Sequence, residues 1–401
     1  MISLEEARER LFVSITPLEP ERVPLLEALG RYCAESIHSR IDLPRFDNSA
    51  MDGYAVRCDD LKSATQERPV ELKLVGRIGT GEVFGGTIPP GTCLRLFTGS
   101  VLPSGADAVV MQEDVRVENG IIRFFESVKP FENVRLAGED IREGTRITTE
   151  EDKLTAARLS LLAATGYAEV AVRKLPRVAV IATGDELVEP GEPLAAGKIY
   201  ESNRALVTSL LRSLGIPATV LPILRDDFEK TTAGLKEAFS NHDVVITTGG
   251  VSVGEFDFVK DAFAKLGGVI DHWKVALRPG KPFVFGKVQN KFLFGLPGNP
   301  VSALVTFLAL VRPALLKMMG ARKTELPQVT GELAEAVANP GDRRHFVRCA
   351  WSDGKLKSAG RQASHMIGSL GEANCLIDVP PGTRLEAGTK VSAYLWELPS
   401  A

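Results

Sequence analysis

The chain is expected to fold as a multidomain α/β plus β protein. It combines a three-layer α/β/α domain on a parallel-rich sheet, an inserted small β domain, a helical linking domain and a C-terminal β-barrel. Three observations predict this. From Pro176 to Gly320, short apolar β-branched runs alternate with helical patterns, which implies parallel strands covered on both faces. Residues 69–135, and those from Leu326 onward, show short β-rich runs between Gly and Pro turns. The segments flanking 69–135 carry helical spacing. With 401 residues, 44% hydrophobic and 25% charged, the chain has length for several cores. The boundaries read as 1–45 with 136–174 for the linking domain, 46–135 for the insertion, 175–324 for the α/β domain and 325–401 for the barrel.

Ser3 and Glu6 form a capping-box pattern ahead of Leu4, Ala7, Leu11 and Phe12, so the chain opens on a helix. A short helix over 24–29 has Pro near its start and stops at Gly30. The runs 70–75, 93–97, 108–111 and 121–125 read as strands of the insertion. Residues 150–166 return to helix, with Thr149 as cap and Gly166 as stop, and are expected to pack on the opening helices. The α/β domain then reads as strand 178–182, helix 204–214, strand 218–223, helix 228–240, strand 244–247 and helix 256–266. A hairpin containing Gly280, strand 292–295 and a helix running from Pro297-Gly-Asn-Pro300 to near Gly320 follow.

Composition narrows the function. A net charge of −3 gives no general attraction to nucleic acid or anionic membrane. Cys33, Cys58, Cys93, Cys349 and Cys375 are scattered without a C-x-x-C, so neither a disulfide frame nor a zinc ribbon is supported. No secretory pattern opens the chain, and no apolar run approaches the roughly 20 residues that span a bilayer. A cytoplasmic setting is expected, with no nucleic-acid or membrane partner.

Polar residues gather in a few places. The run 42–55, Asp-Leu-Pro-Arg-Phe-Asp-Asn-Ser-Ala-Met-Asp-Gly-Tyr-Ala, has no helical or strand period; Phe46, Met51 and Tyr54 could pin it as a loop. In 243–257 a strand, a Gly-rich loop and a helix follow one another, an order that lets loop amides meet a phosphate. Gly249, Gly250 and Ser252 would face it. Glu186, Asp226 and Asp257 follow three different strands. Carboxylates gathered at one sheet edge need a cation or protons, and hard oxygens with open positions suit Mg²⁺. Asp226 could instead cap the helix beginning at Phe228. Lys274 and Arg278 would point one way from a strand, with Lys281 past the Pro279-Gly280 turn. Such a cationic ribbon could hold phosphate or a tetrahedral oxyanion. Pro297 and Pro300 cannot donate backbone hydrogen bonds and would shape the turn.

These segments occur together with Thr98-Gly-Ser-Val-Leu-Pro-Ser-Gly-Ala-Asp-Ala-Val-Val, Val134-Arg-Leu-Ala-Gly-Glu-Asp, Val178-Ala-Val-Ile-Ala-Thr-Gly-Asp-Glu-Leu, Lys274-Val-Ala-Leu-Arg-Pro-Gly-Lys-Pro-Phe and Gly295-Leu-Pro-Gly-Asn-Pro-Val-Ser. In this order they resemble the molybdopterin molybdenumtransferases, the MoeA and gephyrin E-domain family. The resemblance runs from the first helix to the Gln362-Ala-Ser-His-Met region. It implies that the α/β domain binds molybdopterin. It also implies that Asp226 and Asp257 handle Mg²⁺ and nucleotide, and that Glu186 lies in the substrate pocket. Asp52 and Asp140 would contribute further acids near Thr98 and Arg135. Lys274, Arg278 and Lys281 would hold molybdate beside Pro297 and Pro300, with Ser364 and Ser369 closing the pocket. Many relatives carry Lys where this chain has Arg278. The implied substrates are molybdate and adenylylated molybdopterin, with AMP released. The implied assembly is a homodimer with composite sites, in transient contact with molybdopterin adenylyltransferase and molybdoenzyme apoproteins. Two rivals are a molybdopterin adenylyltransferase and a non-catalytic gephyrin-like scaffold.

Overall fold

The central sheet forms because its inner strands have no polar side to turn to water. Val178–Ala182 is buried along its whole length and pairs in parallel with Ala218–Val220 and Val244–Thr248. Lys291–Leu296 lies parallel beyond Val244–Thr248. Pro282–Val288 and Val269–Lys274 complete six strands in antiparallel register. Alternation along each strand divides the side chains between two cores. Val178, Val180, Val244 and Ile246 meet Val207, Leu211 and Val301 on one face. Ala179, Ile181 and Val245 meet Leu235, Phe239, Val259 and Phe263 on the other. Helices Asn203–Ser213 and Pro300–Met318 therefore cover one face, and Phe228–Asn241 with Phe258–Lys265 the other. This computed structural model describes residues 1–250 and 258–397.

Pro300–Met318 departs from the sequence expectation. Its 19 residues, with a mean hydropathy of 1.7, are long and apolar enough to cross a bilayer, yet 89% of its most apolar stretch is buried inside the protein. That is the environment of a core helix. A π turn, Phe307–Val311, interrupts it.

The first helix, Leu4–Ser14, is capped by Ser3, whose Oγ accepts the Glu6 N–H at 3.0 Å. Glu6 itself turns to Arg10, so only half of the capping box forms. Leu4, Ala7 and Leu11 enter the α/β core rather than packing on the later helix. The expected second helix is a 3-10 turn, Leu25–Ala28, after the strand Pro20–Pro24. Leu25 and Ala28 do pack with Leu159 and Leu162 of helix Ala156–Ala164. That helix is capped by Thr155, not Thr149, because Asp152 takes both the N–H and the hydroxyl of Thr149 into a turn.

The insertion is a six-stranded sheet in the order Ala108–Met111, Gly53–Val56, Thr92–Leu96, Val70–Arg77, Ile121–Phe124, Val115–Glu118. Its second strand, Gly53–Val56, corrects the reading of 42–55 as wholly irregular. Asp-Gly-Tyr looks like a turn, yet here glycine is what admits the neighbour: a Cβ on Gly53 would lie 2.1 Å from the Val110 carbonyl oxygen.

At the C-terminus five strands close into a barrel. Arg344–Ser352, Lys355–Ser358, Gln328–Leu333, Lys390–Leu395 and Cys375–Val379 follow in order, the last returning to Arg344–Ser352. Val347, Leu356, Ile377 and Ala393 fill it with Cys349 and Cys375. All five cysteines are buried and free.

Candidate active site at the carboxyl edge of the parallel sheet

Four loops meet where the parallel strands end. Thr183-Gly184-Asp185-Glu186 follows Val178–Ala182, Arg225-Asp226 follows the segment after Ala218–Val220, Gly249-Gly250 follows Val244–Thr248, and Pro297–Pro300 follows Lys291–Leu296. Backbone bonds knit them together. The Thr183 N–H donates to Thr248 O at 3.0 Å, Gly184 N–H to Leu224 O at 3.1 Å, and Gly249 N–H to Leu296 O at 3.1 Å. Asn203 Nδ2 donates to Gly298 O at 2.7 Å.

The two glycines form a cradle that side chains would fill. Gly249 and Gly250 have φ of +86° and +64°, and a Cβ on Gly249 would stand 2.6 Å from the Thr183 carbonyl oxygen. A Cβ on Gly250 would stand 2.9 Å from Thr183 Oγ1. Thr183 Oγ1, Thr247 Oγ1 and Thr248 Oγ1 are buried without a partner among the described residues. Buried hydroxyls ordinarily find one.

The carboxylates gather beside this cradle. The Asp226 N–H donates to Asp185 Oδ1 at 3.2 Å, and the Asp185 N–H donates to Asp226 Oδ2 at 3.3 Å. Arg225 Nη1 holds the same loop by donating to the carbonyls of Asp185 and Leu187 at 3.0 and 2.9 Å. Helix Phe228–Asn241 is capped by Asp227, which leaves Asp226 free for other work. Burial, then the negative charges of Asp185 and Glu186, push the Asp226 carboxyl above its ordinary 3.8. An acid raised in this way favours the fold at low pH and loses that contribution as pH rises through its folded pKa. Asp226→Asn is therefore expected to melt above the wild-type chain at neutral pH, the gap closing as pH falls toward 3.8. A variant melting at or below wild type across a pH series would contradict it.

Asp226 and Glu186 are hard oxygen donors, the ligand type that Mg²⁺ takes. Among the described residues no three His, Cys, Asp or Glu side chains stand ready to enclose an ion. Asp257 and Ser252, expected in this site, lie outside the described residues.

The cationic ribbon is broken, contrary to expectation. Lys274 ends one strand, whereas Arg278 belongs to Leu277–Arg278, paired with His345 in the barrel. A tight turn makes the break: Leu277 N–H donates to Val275 O at 2.8 Å, while Ile2 bridges alongside, its N–H donating to Lys274 O at 3.0 Å and its carbonyl accepting from Ala276 N–H at 2.9 Å. Lys274, Arg278 and Lys281 are all exposed. Burial and the charges of Arg278, Arg348 and Arg343 push His345 down to about 4, so it adds no positive charge there at neutral pH.

Ser364 and Ser369 approach the proline turn from the barrel. Asn299 Nδ2 donates to Ser364 Oγ, and Val301 N–H to Ser364 O, both at 3.2 Å. Ser369 Oγ accepts from Arg348 Nε at 2.8 Å. Fully buried Arg348 also binds the Arg361 carbonyl and so anchors this loop. Pro297 is buried and Pro300 opens its helix, as turn-shaping residues would.

The residues of the insertion form a second group. Asp52 Oδ1 accepts from the Thr98 N–H and Oγ1 at 2.8 and 2.9 Å, which holds its carboxyl below the usual range. Arg135 lies in the short strand paired with Asn48, and exposed Asp140 donates its N–H to Leu43 O. Tyr54 is buried, but Phe46 and Met51 are 43% and 42% exposed and pin nothing. Among the described residues no hydrogen bond or ion pair joins 46–135 to 175–397.

Sequence reasoning missed Asp185, Arg225 and Arg348 as contributors. Asp185 sits inside a quoted motif, whereas the partners of Arg225 and Arg348 are set by the fold.

Fold and edge loops together define a multidomain α/β protein whose polar loops gather at the strand ends, where ligands of such sheets bind. Residues 2–166 match the MoeA N-terminal region (domain I and II), 179–317 a probable molybdopterin binding domain, and 330–396 the MoeA C-terminal region (domain IV). A molybdopterin molybdenumtransferase of Haemophilus influenzae is 41% identical, the match covering 94% of each chain. A molybdopterin molybdenumtransferase 2 of Mycobacterium tuberculosis is 37% identical over 99% of this chain and 100% of its own. A solved molybdopterin biosynthesis MoeA protein of Pyrococcus horikoshii OT3 superposes with a TM-score of 0.84 at 29% identity, covering 98% of this chain and 100% of its own. The chain belongs to the molybdopterin molybdenumtransferase family.

Proposed function

We propose that this chain takes molybdenum from molybdate into adenylylated molybdopterin, releasing AMP in a Mg²⁺-dependent step. Family membership makes it a transferase of molybdenum cofactor biosynthesis that inserts molybdenum. The observation that supports the finer reading is the cluster of strand-end loops: two positive-φ glycines packed against Thr183, buried threonine hydroxyls without a partner among the described residues, and the Asp185–Asp226 exchange with the Glu186 charge close by.

The loop amides at Gly249 and Gly250, with Ser252, would take the phosphates. Asp226, Glu186 and Asp257 would hold Mg²⁺, which when bound supplies neutralisation of phosphate charge. Lys274, Arg278 and Lys281 would draw in molybdate, while Pro297 and Pro300 shape the turn and Ser364 and Ser369 close it from the barrel. On this reading catalysis rests on positioning and electrostatic stabilisation. Asp52, Asp140, Thr98 and Arg135 would complete the site from a second subunit of a homodimer. Such a chain would work in the cytoplasm, taking substrate from molybdopterin adenylyltransferase and passing product to molybdoenzyme apoproteins. The test is AMP release from adenylylated molybdopterin with and without molybdate.

Arg278 gives a sharper result. Arg278→Ala is expected to raise the molybdate concentration for half-maximal AMP release by about tenfold, the loss of one charge-assisted contact. Arg278→Lys should stay near wild type, since charge is kept and only the planar fork is lost. An unchanged molybdate dependence in Arg278→Ala would make it a solvated surface residue.

A further inference from the structure

His345 stands where the barrel strand Arg344–Ser352 meets Arg278, and it is 5% exposed. Neither of its ring nitrogens has a hydrogen-bond partner among the described residues. A neutral imidazole carries one donor and one acceptor, and buried polar groups ordinarily find partners. The side chains beside it in the barrel offer none: Val347, two residues along the strand, and Val379, opposite on Cys375–Val379, are apolar.

The charges around this ring are positive. Arg278 is its register partner across parallel strands, so the two side chains leave on the same side. Arg278 forms no ion pair among the described residues. Arg348, three residues along, is fully buried, and its Nη1 lacks a partner among them. Arg343 meets only the exposed Asp342, at 3.7 Å. Asp378 on the facing strand is held by Arg344, which also takes Glu5. Arg278, Arg348 and Arg343, together with burial, therefore keep the ring neutral.

We propose that His345 is a positioning residue for the oxyanion drawn in by Arg278, and that its ring takes up one proton when the anion arrives. This rests on the reading above, in which Arg278 faces molybdate. In the free chain the ring is neutral beside an unpaired guanidinium. A dianion on Arg278 reverses the local field and favours the charged imidazole. The proton comes from the buffer, no bond of the anion breaks, and the second positive charge then holds the anion with the first. The complex binds more protons than the free chain. Affinity is therefore highest at low pH and is lost as pH rises through the pKa of the ring in the complex.

The test titrates the full-length chain with molybdate alone by calorimetry, at about pH 6 and about pH 8, in two phosphate-free buffers of different ionisation heat. Molybdate keeps both charges over that range, so a linked proton reports on the protein. Binding is expected to be about tenfold tighter at the lower pH, with uptake approaching about one proton there and falling toward zero at the higher. His345→Gln keeps a donor and an acceptor but cannot charge. It should bind equally at both values, near the wild-type affinity at the higher pH. The proton count on the wild-type chain carries the test if His345→Gln melts early. Saturable binding without proton uptake, or a pH dependence that persists in a folded His345→Gln, would overturn the proposal and leave the oxyanion reading of Arg278 standing. No saturable molybdate binding at either pH would overturn both.

Discussion

Gly249→Ala is expected to lower molybdate-dependent AMP release by at least about 100-fold, the scale of loss when a positioning element moves by about 1 Å. Two effects combine at this position. The left-handed φ of +86° costs a non-glycine residue roughly 1–2 kcal/mol. The added methyl would also stand 2.6 Å from the Thr183 carbonyl oxygen, a backbone atom that cannot swing aside. The loop must therefore leave Leu296 and Thr183, taking its amides with it. The fold should survive, because the Val244–Thr248 strand is buried and paired on both sides. Circular dichroism and a melting curve beside the activity measurement separate the two effects. Near-wild-type turnover by Gly249→Ala would remove the cradle from the mechanism.

Asp52→Ala and Asp226→Ala are each expected to be inactive alone and to regain about half the activity per dimer when their subunits are exchanged, since one of the two sites is then whole. Asp52 and Thr98 form one polar group, Asp185 and Asp226 another, and no hydrogen bond or ion pair among the described residues links the insertion to residues 175–397. On the homodimer proposed above, a ligand that needs both groups would meet them across a subunit boundary. The exposed Phe46 and Met51 beside Asp52 offer apolar surface for such a boundary. Exchange should follow mild denaturation, with heterodimers isolated by differential tags. Inactive heterodimers, or an active monomer in sedimentation, would contradict the composite site.

Much of the fold was legible because it depends on local chemistry. Ser3 caps the first helix by bonding to Glu6, three residues on, and Gly166 ends another with a φ of +87°. The all-apolar Val178–Ala182 announces a strand buried on both faces. What escaped depends on distant partners. Gly53 reads as a turn until Val110 is known to press against it. Lys274 and Arg278 read as one strand until the Leu277 N–H is seen to turn back onto the Val275 carbonyl between them. Thr149 reads as the cap of the later helix until Asp152 is seen to take its N–H and hydroxyl into a turn. For the site, glycine and carboxylate motifs at strand ends were visible. The Asp185–Asp226 exchange, between residues 41 apart, follows only from the parallel order of the sheet.

The most direct measurement is quantification of AMP released from purified adenylylated molybdopterin by the wild-type chain in Mg²⁺, with and without molybdate. Release should require molybdate, fall in chelator, and yield a product that activates an apo-molybdoenzyme. Release that ignores molybdate, or none from a folded chain given both substrates and Mg²⁺, would contradict molybdenum insertion at the sheet edge.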